Sequence, residues 1–191
     1  MSSHHCVGLV LAAGYGRRFG RDKRLARLAE GSSLLSTVLE RACSIFDELY
    51  VVLRPEDDTV SLGVPPGVRI VRSPLSSQGM GHSLASGVSA LLETQAEGVA
   101  VLLGDMPWIS VETLQHLASL ADKGRIILPC FNGQQGHPVV FGRSFWPELM
   151  EMSGDSGGRK VVSEHSEHCI KVAVDDSGVL RDVDEEEDLG A

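Results

Sequence analysis

Short apolar runs alternate along the chain with stretches of helical spacing. Residues 7–11 form an uninterrupted apolar run that ends at Ala12-Ala13-Gly14, which is typical of a strand buried on both faces of a sheet. Residues 98–103 form the most apolar run, which ends at Gly104-Asp105. Further strands are predicted at residues 48–53, 68–72, 125–131, 139–141 and 169–174.

Helical patterns occupy the intervals between these strands. The i, i+4, i+7, i+8 spacing of one helix face is followed by Leu84, Val88, Leu91 and Leu92. Ser110 is a suitable N-cap for a helix that reaches residue 122. Other helices are predicted near residues 33–46, 144–152 and 159–165. Alternating strands and helices indicate an α/β fold, with a mainly parallel sheet covered by helices on both faces, in one domain over residues 1–191.

Composition and charge exclude two classes of partner. Of the 191 residues, 42% are apolar, which is enough for the core of one domain. A net charge of −9 disfavours a nucleic-acid-binding surface, which usually needs a basic face. No run approaches the roughly 18 apolar residues that a membrane helix needs. The four cysteines form no C-x-x-C pair, so we expect free thiols in a reducing cytoplasm.

The turn after the first strand is rich in glycine and basic residues. Open parallel sheets bind ligands at the carboxyl ends of their strands, which selects this turn and the turn that contains Asp105. Glycines at positions 14, 16 and 20 let the backbone approach phosphates, and Arg18 and Lys23 could neutralise their charge. The loop lacks the spacing of dinucleotide-binding and Walker A loops. Glycine content alone also fits a loop with a solvated basic face.

This loop resembles the signature Leu-Ala-Ala-Gly-x-x-x-Arg-x-Gly-x-x-Lys of the molybdenum cofactor nucleotidyltransferases. Leu-Ala-Ala-Gly is closer to the cytidylyltransferase branch, because the guanylyltransferase branch more usually has Leu-Ala-Gly-Gly. Five more segments resemble that family in order: Gly79-Met80-Gly81-His82-Ser83-Leu84, Gly104-Asp105-Met106-Pro107, Gly136-His137-Pro138-Val139, Gly154-Asp155-Ser156-Gly157-Gly158-Arg159 and the acidic run from Asp182 to Leu189. The resemblance covers nearly the whole chain. It implies a Rossmann-like three-layer sandwich of the nucleotide-diphospho-sugar transferase type.

The resemblance also implies a catalytic set of Arg18, Lys23 and Asp105, with Mg²⁺ bound by Asp105 and Asp184. Mg²⁺ prefers oxygen ligands, so a carboxylate at a strand end suits it. Asp182 is the alternative to Asp184, since Glu185-Glu186 replaces the Thr-Pro of the family, and a solvated acidic tail also fits this run. The residues implied to bind the nucleotide are Leu11, Ala12, Ala13, Gly14, Gly16, Arg18, Lys23, Gly79, Gly81, His82 and Ser83.

Two later segments resemble the acceptor side of the family's site. Gly136-His137-Pro138 is one, and the other ends at Arg159 and Lys160, whose charge suits the phosphate of a pterin. Each segment fits a turn with solvated charge equally well. His165 and His168 lie three residues apart, and we interpret them as a solvated helix face because zinc sites need more than two such ligands.

The implied reaction transfers CMP from CTP to molybdopterin and releases pyrophosphate. Its partners are a nucleoside triphosphate, with CTP favoured, and a phosphorylated pterin acceptor, and the resemblance leaves room for contact with a molybdenum enzyme. The alternatives are GMP transfer to molybdopterin, nucleotidyl transfer to a sugar or alcohol phosphate, and a non-catalytic nucleotide- or cofactor-binding module. A dehydrogenase is disfavoured, because the second strand is followed by Arg54-Pro55 instead of the acid that grips ribose.

Overall fold

One mixed sheet forms the centre of the protein in the computed structural model, which describes residues 5–16 and 19–190. Its strands are β1 (Cys6–Leu11), β2 (Leu49–Leu53), β3 (Arg69–Arg72), β4 (Gly98–Leu103), β5 (Ile126–Phe131), β6 (Gln134–Gln135), β7 (Val139–Gly142) and β8 (Cys169–Ala173). The spatial order is β3-β2-β1-β4-β7-β5-β6, and β8 also pairs with β5. Strands β1 to β4 are parallel to one another, so β1, between β2 and β4, lies inside a parallel half of the sheet.

Helices cover both faces of this sheet and create two large apolar cores. The longer helices are α1 (Leu34–Cys43), α2 (Met80–Ser89), α3 (Val111–Ser119), α4 (Trp146–Met150) and α5 (Arg159–Glu164). One core includes Leu39 and Leu117, from α1 and α3. The other includes Leu84 and Trp146, from α2 and α4, together with Val161 of α5. The predicted α/β fold with a mainly parallel sheet between helical layers is therefore confirmed.

Local signals fix several helix boundaries. The hydroxyl of Ser33 accepts a hydrogen bond from the Ser36 N–H (3.2 Å), and that of Ser110 accepts one from the Thr113 N–H (3.1 Å), as N-caps do. The stretch predicted as one helix over residues 144–152 is instead a 3₁₀ turn followed by α4. Pro147 explains the division, because proline lacks an N–H and fits only in the first helical turn.

Strand β7 runs antiparallel to β4, with Val139 opposite Val101. Its amino end therefore lies at the carboxyl end of β4, beside the carboxyl end of β1. Residues 136–138, which precede β7, reach the same edge of the sheet as the turns that follow β1 and β4. None of the helices in the described residues is long and apolar enough to cross a membrane.

Candidate active site

A cleft of about 810 Å³ opens at the carboxyl ends of β1 and β4. This volume lies within the range of about 300–1,000 Å³ that is typical of small-molecule sites. The predicted nucleotide and metal residues that line it are Leu11, Ala12, Ala13, Gly14, Gly16, Lys23, Gly79, Ser83, Asp105 and Asp184. Arg18 falls outside the described residues. Gly81 and His82 are not among the described residues that line the cleft, so the structure does not bring the His82 side chain to the predicted nucleotide site.

Three carboxylates meet at the floor of this cleft. Asp105, Asp182 and Asp184 each offer an oxygen, and these oxygens lie within 4.8 Å of one another. The N–H of Val183 donates a hydrogen bond to the Asp105 carbonyl oxygen (2.9 Å), which joins the C-terminal segment to the end of β4. The sequence left Asp182 and Asp184 as alternatives, and the structure places both of them beside Asp105.

Lys23 is the cation of this carboxyl cluster. Its ammonium donates to Asp105 Oδ2 (2.7 Å) and to the Val183 carbonyl (2.9 Å), and it lies 3.7 Å from Asp184 Oδ1. Burial raises the pKa of Asp182, and the charges of Asp184 and Asp105 raise it further. Among the described residues, the ammonium of Lys23 balances one of three ionised carboxylates, so the fully ionised cluster with this lysine keeps two negative charges.

The second carboxylate oxygen of Asp105 lacks a protein partner. Among the described residues, Asp105 Oδ1 is buried and accepts no hydrogen bond. A buried charged oxygen without a partner is costly, so such an atom calls for an explanation such as a bound ion. Together with the two surplus negative charges, this oxygen makes the cluster a suitable site for a divalent cation with oxygen ligands.

Two arginine side chains bind carbonyl groups of the loop at residues 12–16. The buried Arg24 guanidinium donates to the Ala12 carbonyl (2.9 Å), and Arg54 donates to the carbonyls of Ala13 and Gly14. Within the described part of the chain, the N–H groups of residues 13–16 find no acceptor. Amides without an acceptor are groups that can bind phosphate oxygens, and the phosphate role of this loop stays a prediction.

Arg24 itself belongs to a buried ion-pair network that the sequence analysis did not identify. It donates to Asp57 through Nη1 and Nη2 (2.5 and 2.7 Å) and to Asp22 through Nε and the same Nη2 (2.9 and 2.6 Å). The hydrogen bonds from Arg24 lower the pKa of Asp22. Burial alone would raise the pKa of Asp57. Hydrogen bonds from Arg24 and Arg54 outweigh this effect, so the pKa of Asp57 is also lowered. The network links the residues that follow Lys23 to the turn after β2.

The glycines at the start of α2 serve a close backbone contact. The Gly81 N–H donates to the Gly154 carbonyl (2.7 Å), and a Cβ on Gly81 would lie 2.6 Å from the Ser153 oxygen. Gly79 has φ of +125°, and a Cβ there would lie 2.4 Å from the Gly154 backbone. These glycines therefore allow α2 to meet the loop at residues 153–155, and only Gly79 of the two also lines the cleft.

Replacing Gly81 with alanine should destabilise the protein by about 1–3 kcal/mol, the usual cost of forcing an added group into a packed place. Urea denaturation followed by circular dichroism measures this difference in the free energy of unfolding. Gly124→Ala is the matched control, because its added Cβ would have only one neighbour, at an ordinary 3.7 Å. Equal losses in the two variants would contradict the backbone-contact explanation.

The predicted acceptor side also reaches the cleft, with one exception. His137 and Arg159 both line it. Burial lowers the pKa of His137, the Arg159 charge acts in the same direction and the Asp105 charge opposes it, so the imidazole is neutral at pH 7. His137 Nδ1 is buried and unpaired among the described residues. Lys160 instead points to Glu164 (3.9 Å) and does not line the cleft.

The acidic centre lies in a cleft at one edge of an open α/β sheet, and solved structures share this fold. A Mycobacterium sp. strain JC1 homologue of Rv0371c has a TM-score of 0.83 at 30% identity, over 97% of this chain and 93% of that one. Residues 8–169 match the model of the MobA-like NTP transferase domain, so the chain belongs to this family. The fold and the family expected from the sequence are thereby confirmed.

Two curated relatives extend over nearly the whole chain. The purine catabolism protein PucB of Bacillus subtilis is 31% identical, over 98% of this chain and 96% of its own. The molybdenum cofactor cytidylyltransferase of Escherichia coli is 23% identical, over 99% of this chain and 95% of its own. A crystal structure of Rv0371c from Mycobacterium tuberculosis with manganese has a TM-score of 0.75 at 26% identity, over 89% of this chain and 88% of that one.

Proposed function

We propose that this nucleotidyltransferase moves CMP from CTP to a phosphorylated pterin of the molybdopterin type and releases pyrophosphate. The observation that carries the proposal is the carboxyl cluster with Lys23, next to the free amides of residues 13–16 in one cleft. Nucleotidyl transfer between two polyanions needs both features of the cleft, namely hydrogen-bond donors for phosphate oxygens and an acidic centre for a divalent ion. The relatives named as cytidylyl- and guanylyltransferases of the molybdenum cofactor support the pterin acceptor.

Asp105, Asp182 and Asp184 would hold Mg²⁺, which supplies charge stabilisation for the triphosphate when bound. Lys23 would then exchange its contact with the Asp105 carboxylate for a contact with a phosphate oxygen. Its ammonium has three N–H donors and already lies within the cluster. Arg18 is proposed as a second cation on the triphosphate. The free amides of residues 13–16 would orient the phosphates without adding charge.

The acceptor requires little proton transfer from the protein. The second pKa of a phosphate monoester is about 6, so the attacking oxygen is already largely ionised at pH 7. That oxygen bonds to the α-phosphorus of CTP while the bond to the pyrophosphate oxygen breaks. Arg159 would hold the acceptor's phosphate, and neutral His137 would offer a hydrogen-bonding nitrogen that carries no charge into the site.

Ala13 supports the choice of cytosine. Its side chain is 1% exposed and packs in the apolar core beneath α2, while Arg54 bonds its carbonyl. The methyl group anchors the loop to the sheet. A glycine at this position, which the guanylyltransferase branch more usually has, would lose this anchor. The four cysteines are free thiols, which supports a reducing compartment such as the cytoplasm.

A panel of nucleoside triphosphates tests the proposed base. We expect CTP with Mg²⁺ to raise the unfolding temperature most, since a ligand at a hundred times its Kd stabilises the native state by about 2.7 kcal/mol. Differential scanning fluorimetry with CTP, GTP, ATP and UTP, each with and without Mg²⁺, measures this shift. Ala13→Gly should reduce the preference for CTP over GTP, and Ala90→Gly, on an exposed helix end, is the control.

Two outcomes of this panel would count against the proposal. Greater stabilisation by GTP than by CTP would favour GMP transfer. No stabilisation by any of the four nucleotides would favour a non-catalytic module that binds a cofactor.

A further inference from the structure

A second group of metal-ligating side chains lies at the end of α5. His165, Glu167 and His168 each offer a ligand atom, and these three atoms lie within 4.8 Å of one another. The interpretation of the histidines as a solvated helix face is wrong, because α5 ends at Glu164 and His168 closes a separate 3₁₀ turn. The turn brings both imidazoles to one place instead of spacing them along a helix.

Both imidazole rings pack on one buried aromatic ring. The centroid of Phe145 lies 5.0 Å from that of His165 and 5.7 Å from that of His168, and the two histidine centroids are 6.1 Å apart. Phe145 is only 5% exposed. A fixed aromatic support limits the positions of the two rings, which lowers the entropy lost when they bind a common ligand.

Glu148 of α4 also contacts the His165 ring. Its two carboxylate oxygens lie 2.8 and 2.9 Å from His165 Nε2. An Nε2–H donated to this carboxylate leaves Nδ1 of His165 as the nitrogen with a free lone pair. Histidines that bind metals usually donate their other ring N–H to a carboxylate in this way, which fixes the tautomer and raises the basicity of the ligand.

We propose that His165, Glu167 and His168 bind one divalent transition-metal ion of the Zn²⁺ class. Glu148 is the positioning residue that orients His165. Two imidazoles and one carboxylate suit Zn²⁺, Ni²⁺ or Cu²⁺, whereas Mg²⁺ prefers an all-oxygen set. Three protein ligands leave a fourth position for water. The ion would join the end of α5 to the turn that follows it, and Glu148 would extend this link to α4.

Cys169, the next residue, is excluded as the main ligand by its contacts. Its Sγ donates to the carbonyls of His165 (3.4 Å) and Val162 (3.7 Å). The site therefore has a nitrogen and oxygen donor set.

Isothermal titration of the full chain with ZnCl₂ in excess Mg²⁺ tests the site. Excess Mg²⁺ competes for the carboxyl cluster of the cleft, so the Zn²⁺ binding that depends on His165 and His168 reports the proposed site. We expect His165→Asn and His168→Asn each to weaken Zn²⁺ binding at least about tenfold, and Glu148→Gln to weaken it about 10–100-fold. Two controls should bind as the native chain does: His116→Asn, at an exposed position on α3, and a His4→Asn/His5→Asn double variant.

X-ray absorption at the zinc edge of the native chain keeps the test independent of how the variants fold. Scattering from two imidazoles with nitrogen and oxygen neighbours is the expected spectrum. Unchanged Zn²⁺ affinity in His165→Asn and His168→Asn, both shown to be folded by circular dichroism, would overturn the proposal. A sulfur neighbour or an oxygen-only shell in the spectrum would overturn it as well.

Discussion

Replacing Asp105 with asparagine is expected to lower the rate of nucleotidyl transfer about a thousandfold, since several kcal/mol of metal-based charge stabilisation would be lost. Asparagine keeps the shape of the side chain and can still accept from Lys23. It removes the charge from Oδ1, the buried oxygen that has no partner among the described residues. The release of pyrophosphate from CTP, measured with purified molybdopterin and Mg²⁺, reports the rate.

The exposed Asp175 provides a matched control for this variant. Asp175→Asn makes the same chemical change outside the cleft and should leave the rate within about twofold, since surface substitutions rarely matter. A near-native rate in Asp105→Asn would contradict the metal role of Asp105. A large loss accompanied by a lower unfolding temperature would indicate that Asp105 acts mainly on the fold.

Replacing Arg24 with methionine should destabilise the protein by about 3–5 kcal/mol, the usual cost of removing one partner from a buried ion pair. Methionine is of similar length but leaves the Asp57 carboxylate, whose side chain is 7% exposed, without its main partner. Urea denaturation at pH 7 measures the loss. Arg27→Met, which removes an exposed cation three residues away, should cost less than about 1 kcal/mol.

The same network predicts how stability changes with acid. The pKa values of Asp22 and Asp57 are lowered in the folded state, so their contribution is complete above the unfolded value of about 3.9 and is lost as the pH falls through the folded values. The free energy of unfolding should therefore fall steeply below about pH 4 in the native chain. Arg24→Met should show a shallower fall, and equal slopes in the two proteins would contradict the assignment.

Sequence reasoning worked best where the signal is local. The bounds of β4 and the Ser110 cap follow from an apolar run and a capping residue, and Asp105 follows from its place at a strand end. Nothing local indicates that β7 is antiparallel, because its pairing with β4 joins residues far apart in the chain, such as Val101 and Val139. Strand direction depends on pairing across the sheet, which composition does not encode.

The missed parts of the site share this non-local origin. Arg24 lies in the basic stretch that follows the glycine-rich loop, yet it is buried against Asp57, which is 33 residues away. From the sequence, His165 has only His168 as a neighbouring ligand. Its contacts with Phe145 and Glu148 cannot be predicted locally, because these residues precede α5 in the chain. A charge pattern predicts the class of ligand, but tertiary packing decides which charges face the ligand.

The link between Val183 and the end of β4 has a consequence for biosynthesis. The Val183 N–H bonds Asp105, and the Val183 carbonyl accepts from Lys23, so the segment that carries Asp182 and Asp184 completes the acidic centre. On the ribosome this segment is made after the other residues that line the cleft. A nascent chain can therefore fold its sheet and its phosphate loop well before it has a complete metal centre, and full ion binding begins only after these residues leave the exit tunnel.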